Sequence, residues 1–432
     1  MKFFEKYGMS KTIQFFAGCL ILFLMIVLGA SLWGAEVKAE LMFRMFVGLT
    51  IGYALSRAAM GFAGTVNRSV NSGSTKLMKA ISLCFIFGGI ATFIAIAGGA
   101  IAPEKLWTKG LNHGLIIGAT LFGFGMAFTT CCASGVLTDL AESPLKAILV
   151  IFFFGMGIFF GTALLKTDGM KWVNDGWFGV EALKNGVNFT DWFKWDGMNG
   201  ALGALILTIV LASLVILLSN LYQNYRKNKG TYFPCESEAK YEELKNADSS
   251  NETLAYKLIA KPWSMTLGAA VIALAFGALL ITGRGGWGVS GPLGDWFART
   301  INLLGVPGSA IETFTNGGYK AAFFDTPFWT NKMYIQDLSI FAGALIYLLM
   351  SGKFFTPKAW LFKPLEIVFI AFGGLCLGVA VKFAGGCNAG GLYSPIAEFS
   401  LSGWIYLICI VVGGVLGNLA RKKLYKVTRL SE

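Results

Sequence analysis

A chain of 432 residues that is 55% hydrophobic, only 14% charged and contains 55 glycines cannot bury its apolar surface as a water-soluble domain, so the soluble classes are excluded first. Much of its formal net charge of +12 sits at the N-terminus, just after residue 222 and in the tail from Arg421, the distribution of cytoplasm-facing segments rather than of a nucleic-acid groove. No Walker loop, dinucleotide fingerprint or Ser/His/Asp arrangement is present, and a single His with no CxxC spacing gives no basis for a metal site, so neither an enzyme nor a cofactor is expected.

Apolar runs long enough to cross a bilayer occupy about 12–34, 41–56, 80–102, 113–130, 144–165, 200–222, 263–283, 336–352, 364–383 and 403–420. The first lacks a small-residue cleavage site and is flanked by Lys2, Lys6 and Lys11, so it reads as a retained span with the N-terminus inside. The second returns towards a basic stretch, Arg68 to Lys79, and ends in Arg57-Ala-Ala-Met-Gly-Phe-Ala-Gly64. The fourth runs into Gly123 to Gly135, GFGMAFTTCCASG. Beyond the fifth, the outer loop 166–200 carries Trp172, Trp177, Trp192 and Trp195, suited to a membrane-surface belt. The sixth gives way to a polar linker of about 223–262, too small for a core of its own.

Both motifs then return. Arg284-Gly-Gly-Trp-Gly-Val-Ser-Gly291 repeats the Arg-Gly pattern, and Gly378 to Gly390, GVAVKFAGGCNAG, places Gly378, Cys387 and Gly390 at one constant offset from Gly123, Cys132 and Gly135. The repeat partners 41–56 and 263–283 are the second and seventh spans, five places apart, an odd number, so the second copy is inserted upside down. The expected fold is an all-α polytopic membrane protein of about ten transmembrane helices arranged as two inverted-topology repeats. Segments 58–70, 133–142, 285–299 and 388–399 are too short to span and read as four re-entrant half-helices. The domains are an N-terminal membrane half, 1–222 (repeat core about 41–166), a cytoplasmic linker, 223–262, and a C-terminal membrane half, 263–432 (repeat core about 267–420). Both termini fall in the cytoplasm.

A half-helix that begins just after Cys132 or Cys387 aims free backbone N–H groups and a partial positive charge at whatever sits beside the thiol. Such a site favours a small anion, and a thiol's soft hydrogen bond suits one with a sulfur or selenium end. Gly135 and Gly390 allow close backbone approach there. Arg57 and Arg284 occupy matching span ends, where a cation snorkels, pairs or meets an anion; Lys382 reads equally as an anchor or an attractor of substrate. Glu142 and Glu398 read as capping or pairing groups, and no chain of intramembrane carboxylates marks a proton route. Cys19, Cys84, Cys376 and Cys409 lie within apolar runs as packing residues, and Cys235 is a free thiol of the linker.

These motifs resemble the YeeE/YedE family of bacterial inner-membrane proteins, linked to thiosulfate uptake and, in a YedE branch, to selenium metabolism. The second copy, LGVAVKFAGGCNAGG, is similar to the family's repeated Gly-Cys element throughout; the first has Thr129-Thr130-Cys131 where Ala-Gly-Gly is usual, and Gly61 stands where the family pattern Arg-x-x-x-Cys-Phe has a cysteine. The resemblance implies an hourglass-shaped transporter or channel in the inner membrane that passes thiosulfate by hydrogen bonds from its sulfur to central cysteines. Cys132 and Cys387 carry that role over, with Cys131 a substitute for the cysteine missing at Gly61. It also leaves open a selenium compound as the solute, a persulfide-forming sulfur-transfer role, and a cytoplasmic sulfur-carrier protein as partner.

Overall fold

The computed structural model describes residues 2–32, 35–177, 180–246, 254, 256–282, 287–354 and 364–430, and among these there are helices and loops but no strand. A long helix lies on each of the ten expected apolar runs: α1 (Lys2–Leu32), α2 (Ala35–Arg57), α4 (Lys76–Ala97), α5 (His113–Thr129), α7 (Pro144–Leu165), α8 (Ala201–Asn228), α10 (Met265–Ile281), α13 (Lys332–Met350), α14 (Pro364–Ala384) and α16 (Leu401–Leu430). Eight of them are long and apolar enough to cross a membrane, α5 when taken with its continuation to Glu142 and α14 with its continuation to Ala397. The other two are α2, whose first turns carry Lys38, Glu40 and Arg44, and α10, with 17 residues.

Each of the four short segments contains a helix, but the first and third begin later than the expected 58 and 285: residues 58–63 and 287–290 are non-helical. The helices are α3 (Gly64–Ser72), α6 (Ala133–Glu142), α11 (Gly291–Leu303) and a π-turn, Asn388–Tyr393, that continues into α15 (Ser394–Ala397). The linker holds α9 (Glu236–Asn246) and a π-turn at Tyr256–Ala260; a loop helix, α12 (Gly308–Phe314), follows α11. Local chemistry sets several starts. The side chains of Asn112, Ser264 and Asn331 accept from the first free N–H groups of α5, α10 and α13, and Pro144 opens α7.

Packing follows the repeated motifs. Helix α2 lies on α13 and α4 on α10; α5 lies on α16 and α7 on α14, with α5 and α14 side by side at the centre. Matched glycines sit at close helix–helix approaches. A Cβ on Gly123 would strike the Ile410 carbonyl oxygen and the Gly414 nitrogen; one on Gly378 would strike the Phe154 carbonyl oxygen and the Ile158 nitrogen. Two helices can touch backbone to backbone there only because both positions are glycine.

Two faces can be told apart. Loops 98–112 and 166–200 brace one another through Leu111 N–H to the Leu183 carbonyl (2.8 Å) and Trp177 N–H to the Leu111 carbonyl (3.2 Å). On the opposite face the linker docks through Phe233 N–H to the Ser72 carbonyl (2.9 Å) and Trp263 N–H to the Arg57 carbonyl (3.1 Å). One hydrophobic core joins the halves and contains Cys131, Cys132 and Cys387.

Candidate functional site

Each Gly/Cys motif is built the same way. Helix α5 stops at Thr130 and α14 at Gly385, both in the left-handed region (φ 62° and 68°); the chain then runs extended through Cys132 or Cys387 before the next helical segment begins. Thr130 and Gly385 are exposed, whereas two residues further on Cys132 is 0% and Cys387 1% exposed. The motif therefore carries the backbone from a surface to the interior within three residues.

The two thiols lie within electrostatic range of one another, and Tyr406 lies in range of both. The same core holds the buried side chains of Met126, Phe62, Trp287 and Tyr393. Phe62 meets Trp287 edge to face (centroids 5.9 Å), and Trp287 meets Tyr393 likewise (5.7 Å). Ser394 ties the second motif to the Arg-Gly stretch, donating from its hydroxyl to the Trp287 carbonyl (3.0 Å) and accepting from the Trp287 N–H (3.2 Å). Asn388 donates to the Met126 sulfur across the repeat boundary (3.3 Å), and Tyr406 donates to the Gly386 carbonyl (3.3 Å).

On the linker face a cavity of about 340 Å³ reaches Cys132. Its walls include Cys131, Gly61, Gly135, Arg68 and, from the linker, Ser237. A Cβ at Gly61 would have nothing within 4 Å, so the position is open space beside the two thiols. At Gly135 an added Cβ would rest 3.5 Å from the Cys132 sulfur, and at Gly390 it would rest 3.6 Å from the Gly288 Cα, so both glycines border the centre without being jammed into it. No group of three or more His, Cys, Asp or Glu able to hold a metal occurs among the described residues.

Of the cations chosen from sequence, Arg57 and Lys382 have partners of their own. Arg57 is buried and fully engaged: it donates to the carbonyls of Lys261 (2.9 Å), Leu258 (2.6 Å) and Lys257 (2.9 Å) and to the Tyr53 hydroxyl (3.0 Å), with Trp263 against its face (4.4 Å to the centroid). It closes the C-terminal end of the linker's π-turn. Lys382, half-buried on α14, packs on Gly161 in electrostatic range of Asp295. Arg284 lies outside the described residues. Sequence reasoning passed over Met126, Trp287 and Tyr406, whose residue types are ordinary in apolar helices. It also passed over Asp337 of α13, fully buried with no hydrogen-bond partner on either oxygen, in electrostatic range of Cys387.

Apolar helices wrapped around a buried pair of cysteine motifs that open towards opposite faces define a multi-pass membrane protein. The chain belongs to the Sulphur transport family, whose model matches residues 57–416. The thiosulfate transporter TsuA of Spirochaeta thermophila is 23% identical over 386 residues, which is 85% of this chain and 95% of that protein. Two probable transporters called YedE are 27% identical: that of Escherichia coli K12 over 207 residues (48% of this chain, 46% of its own) and that of Salmonella typhimurium over 146 residues (33% and 34%).

Proposed function

We propose that the protein takes up a small sulfur-containing anion, thiosulfate, across the bacterial inner membrane, with Cys132 and Cys387 as successive hydrogen-bonding partners of its sulfur at a central constriction. The observation that carries this reading is the pair itself: two fully buried thiols in mutual electrostatic range, each two residues inward from an exposed left-handed residue. The exchange of packing partners, α2 on α13 against α4 on α10 and α5 on α16 against α7 on α14, supports two inverted repeats with the thiols near the pseudo-two-fold axis. The linker face is then cytoplasmic, and a sulfur-carrier protein would meet the solute there.

Cys131 and Gly61 share the wall of one cavity, which supports Cys131 as the third thiol on the inner side. Gly135 and Gly390 keep the passage free of side chains, and the N-terminal turn of α6 supplies positive field at Cys132. Arg57 acts as an anchor of the linker. Lys382 raises the local potential beside the second motif, and Arg284 is kept as a substrate-binding candidate from its place in the repeat. The soft-acceptor chemistry would admit a selenium analogue by the same contacts.

The test is growth of a sulfur auxotroph lacking its own uptake systems, with thiosulfate as sole sulfur source. Expression should restore growth, and Cys132→Ala with Cys387→Ala should abolish it. Growth untouched by the double substitution would remove the thiols from the mechanism.

A further inference from the structure

On the face opposite the linker, the second Gly/Cys motif is met by a cation with no partner. Lys109, in loop 98–112, is half-buried; its ammonium lies 3.9 Å from the position a Cβ would take on Gly385, two residues before Cys387, and 4.7 Å from the centroid of the Trp107 ring. No ion pair or hydrogen bond of this ammonium occurs among the described residues. Glu398, which lies beside the same loop, accepts from the Trp107 backbone N–H (2.7 Å). Burial pushes the Lys109 pKa down, with no neighbouring acid opposing the shift. A partly buried cation is ordinarily paired, so an unpaired one facing a solvent-exposed glycine leaves a place for an anion.

The loop is held for this purpose by its own chemistry. The Trp107 indole N–H donates to the Gly390 carbonyl (2.9 Å), so the residue that shelves the ammonium is tied to the motif it serves. The Lys109 carbonyl lies against Gly186 so closely that a side chain there would collide with it.

The linker face has a counterpart of opposite balance. Lys146 donates to the Thr130 hydroxyl (2.5 Å), and Thr130 matches Gly385 in the repeat. That mouth also carries Asp139 and Glu142 on the walls of its cavity, both in electrostatic range of Lys146, while its other wall cation, Arg68, faces the linker's Glu238 (3.8 Å). One mouth thus has a bare cation and the other a cation offset by acids.

We infer that Lys109 is the capture site of the protein: its ammonium, shelved on Trp107, takes the oxyanion end of a small divalent sulfur oxyanion and presents the other end to Cys387, while the acid-lined mouth at Lys146 favours release. The inference rests on the transport reading above and adds to it a residue and a direction.

The test is equilibrium binding of radiolabelled thiosulfate to the purified full-length chain, with uptake into proteoliposomes alongside. Lys109→Gln should weaken binding and raise the half-saturating concentration about tenfold at low salt, with the gap narrowing as salt is added. Lys109→Arg should stay within about threefold of wild type, because it keeps the charge. Lys194→Gln, at an exposed lysine of the same face paired with Asp191 (2.9 Å), should change nothing. Wild-type affinity in Lys109→Gln, or equal losses in the Gln and Arg variants, overturns the assignment and leaves the transport reading standing. Wild-type protein that neither binds nor moves thiosulfate overturns the reading underneath, a pattern distinct from binding that ignores Lys109.

Discussion

Thr130 and Gly385 hold one backbone conformation at equivalent positions of the two motifs, φ 62° and φ 68°, although only one of them is a glycine. A β-branched residue in the left-handed region is strained, and the Lys146 ammonium on the Thr130 hydroxyl is the visible compensation.

That difference has a measurable cost. Thr130→Gly should relieve backbone strain of about 1–2 kcal/mol, less the extra chain entropy of glycine, about 0.5–1 kcal/mol. With the Lys146 hydrogen bond to the Thr130 hydroxyl also lost, about 0.5–1.5 kcal/mol, the net expectation is a thermal midpoint in detergent close to that of the wild type. Gly385→Ala should lower the midpoint through conformation alone, since an added Cβ would meet nothing closer than 3.9 Å. A fall in the first variant together with a rise in the second would show that φ at these positions is not what limits stability.

Gly61 offers a gain-of-function test. The space around it admits a side chain without displacing a neighbour, so Gly61→Cys should change stability by no more than about 0.5 kcal/mol. It would put a third thiol in the cavity that already holds Cys131 and Cys132, and thiosulfate uptake should rise. A folded Gly61→Cys protein with slower uptake would argue that Cys131 already fills that role and that a further thiol obstructs it.

Asp196 gives a pH prediction away from the bilayer. Its carboxylate accepts from the backbone N–H groups of Met198 (2.7 Å), Gly200 (2.9 Å), Leu202 (2.9 Å) and Gly203 (3.1 Å) at the start of α8. Burial works to raise its pKa, and the four donors together outweigh it, leaving the carboxyl below its ordinary value. For a depressed carboxylate the stabilisation is fully present above the unfolded-state pKa and is lost as pH falls through the folded one. Asp196→Asn should therefore lower stability at neutral pH, and the deficit should shrink in acid. Unfolding curves of the two proteins that stay parallel down to strong acid would refute it.

The sequence by itself determined the class and the plan. Ten apolar runs dictate ten long helices because hydrophobic length is a local property, and the second Gly/Cys motif announced itself because Gly378, Cys387 and Gly390 repeat the spacing of Gly123, Cys132 and Gly135. The roles of the cations were decided only in three dimensions. Arg57 looked like a ligand by its position beside a motif, yet its donors are taken by carbonyls about 200 residues downstream, at Lys257, Leu258 and Lys261. Lys109 and Lys146 are not repeat mates, so no offset connects them, yet folding brings them to matching points beside Gly385 and Thr130. Charge acts through space across distances of a few ångströms, and which side chains share that space is set by helix packing rather than by order along the chain.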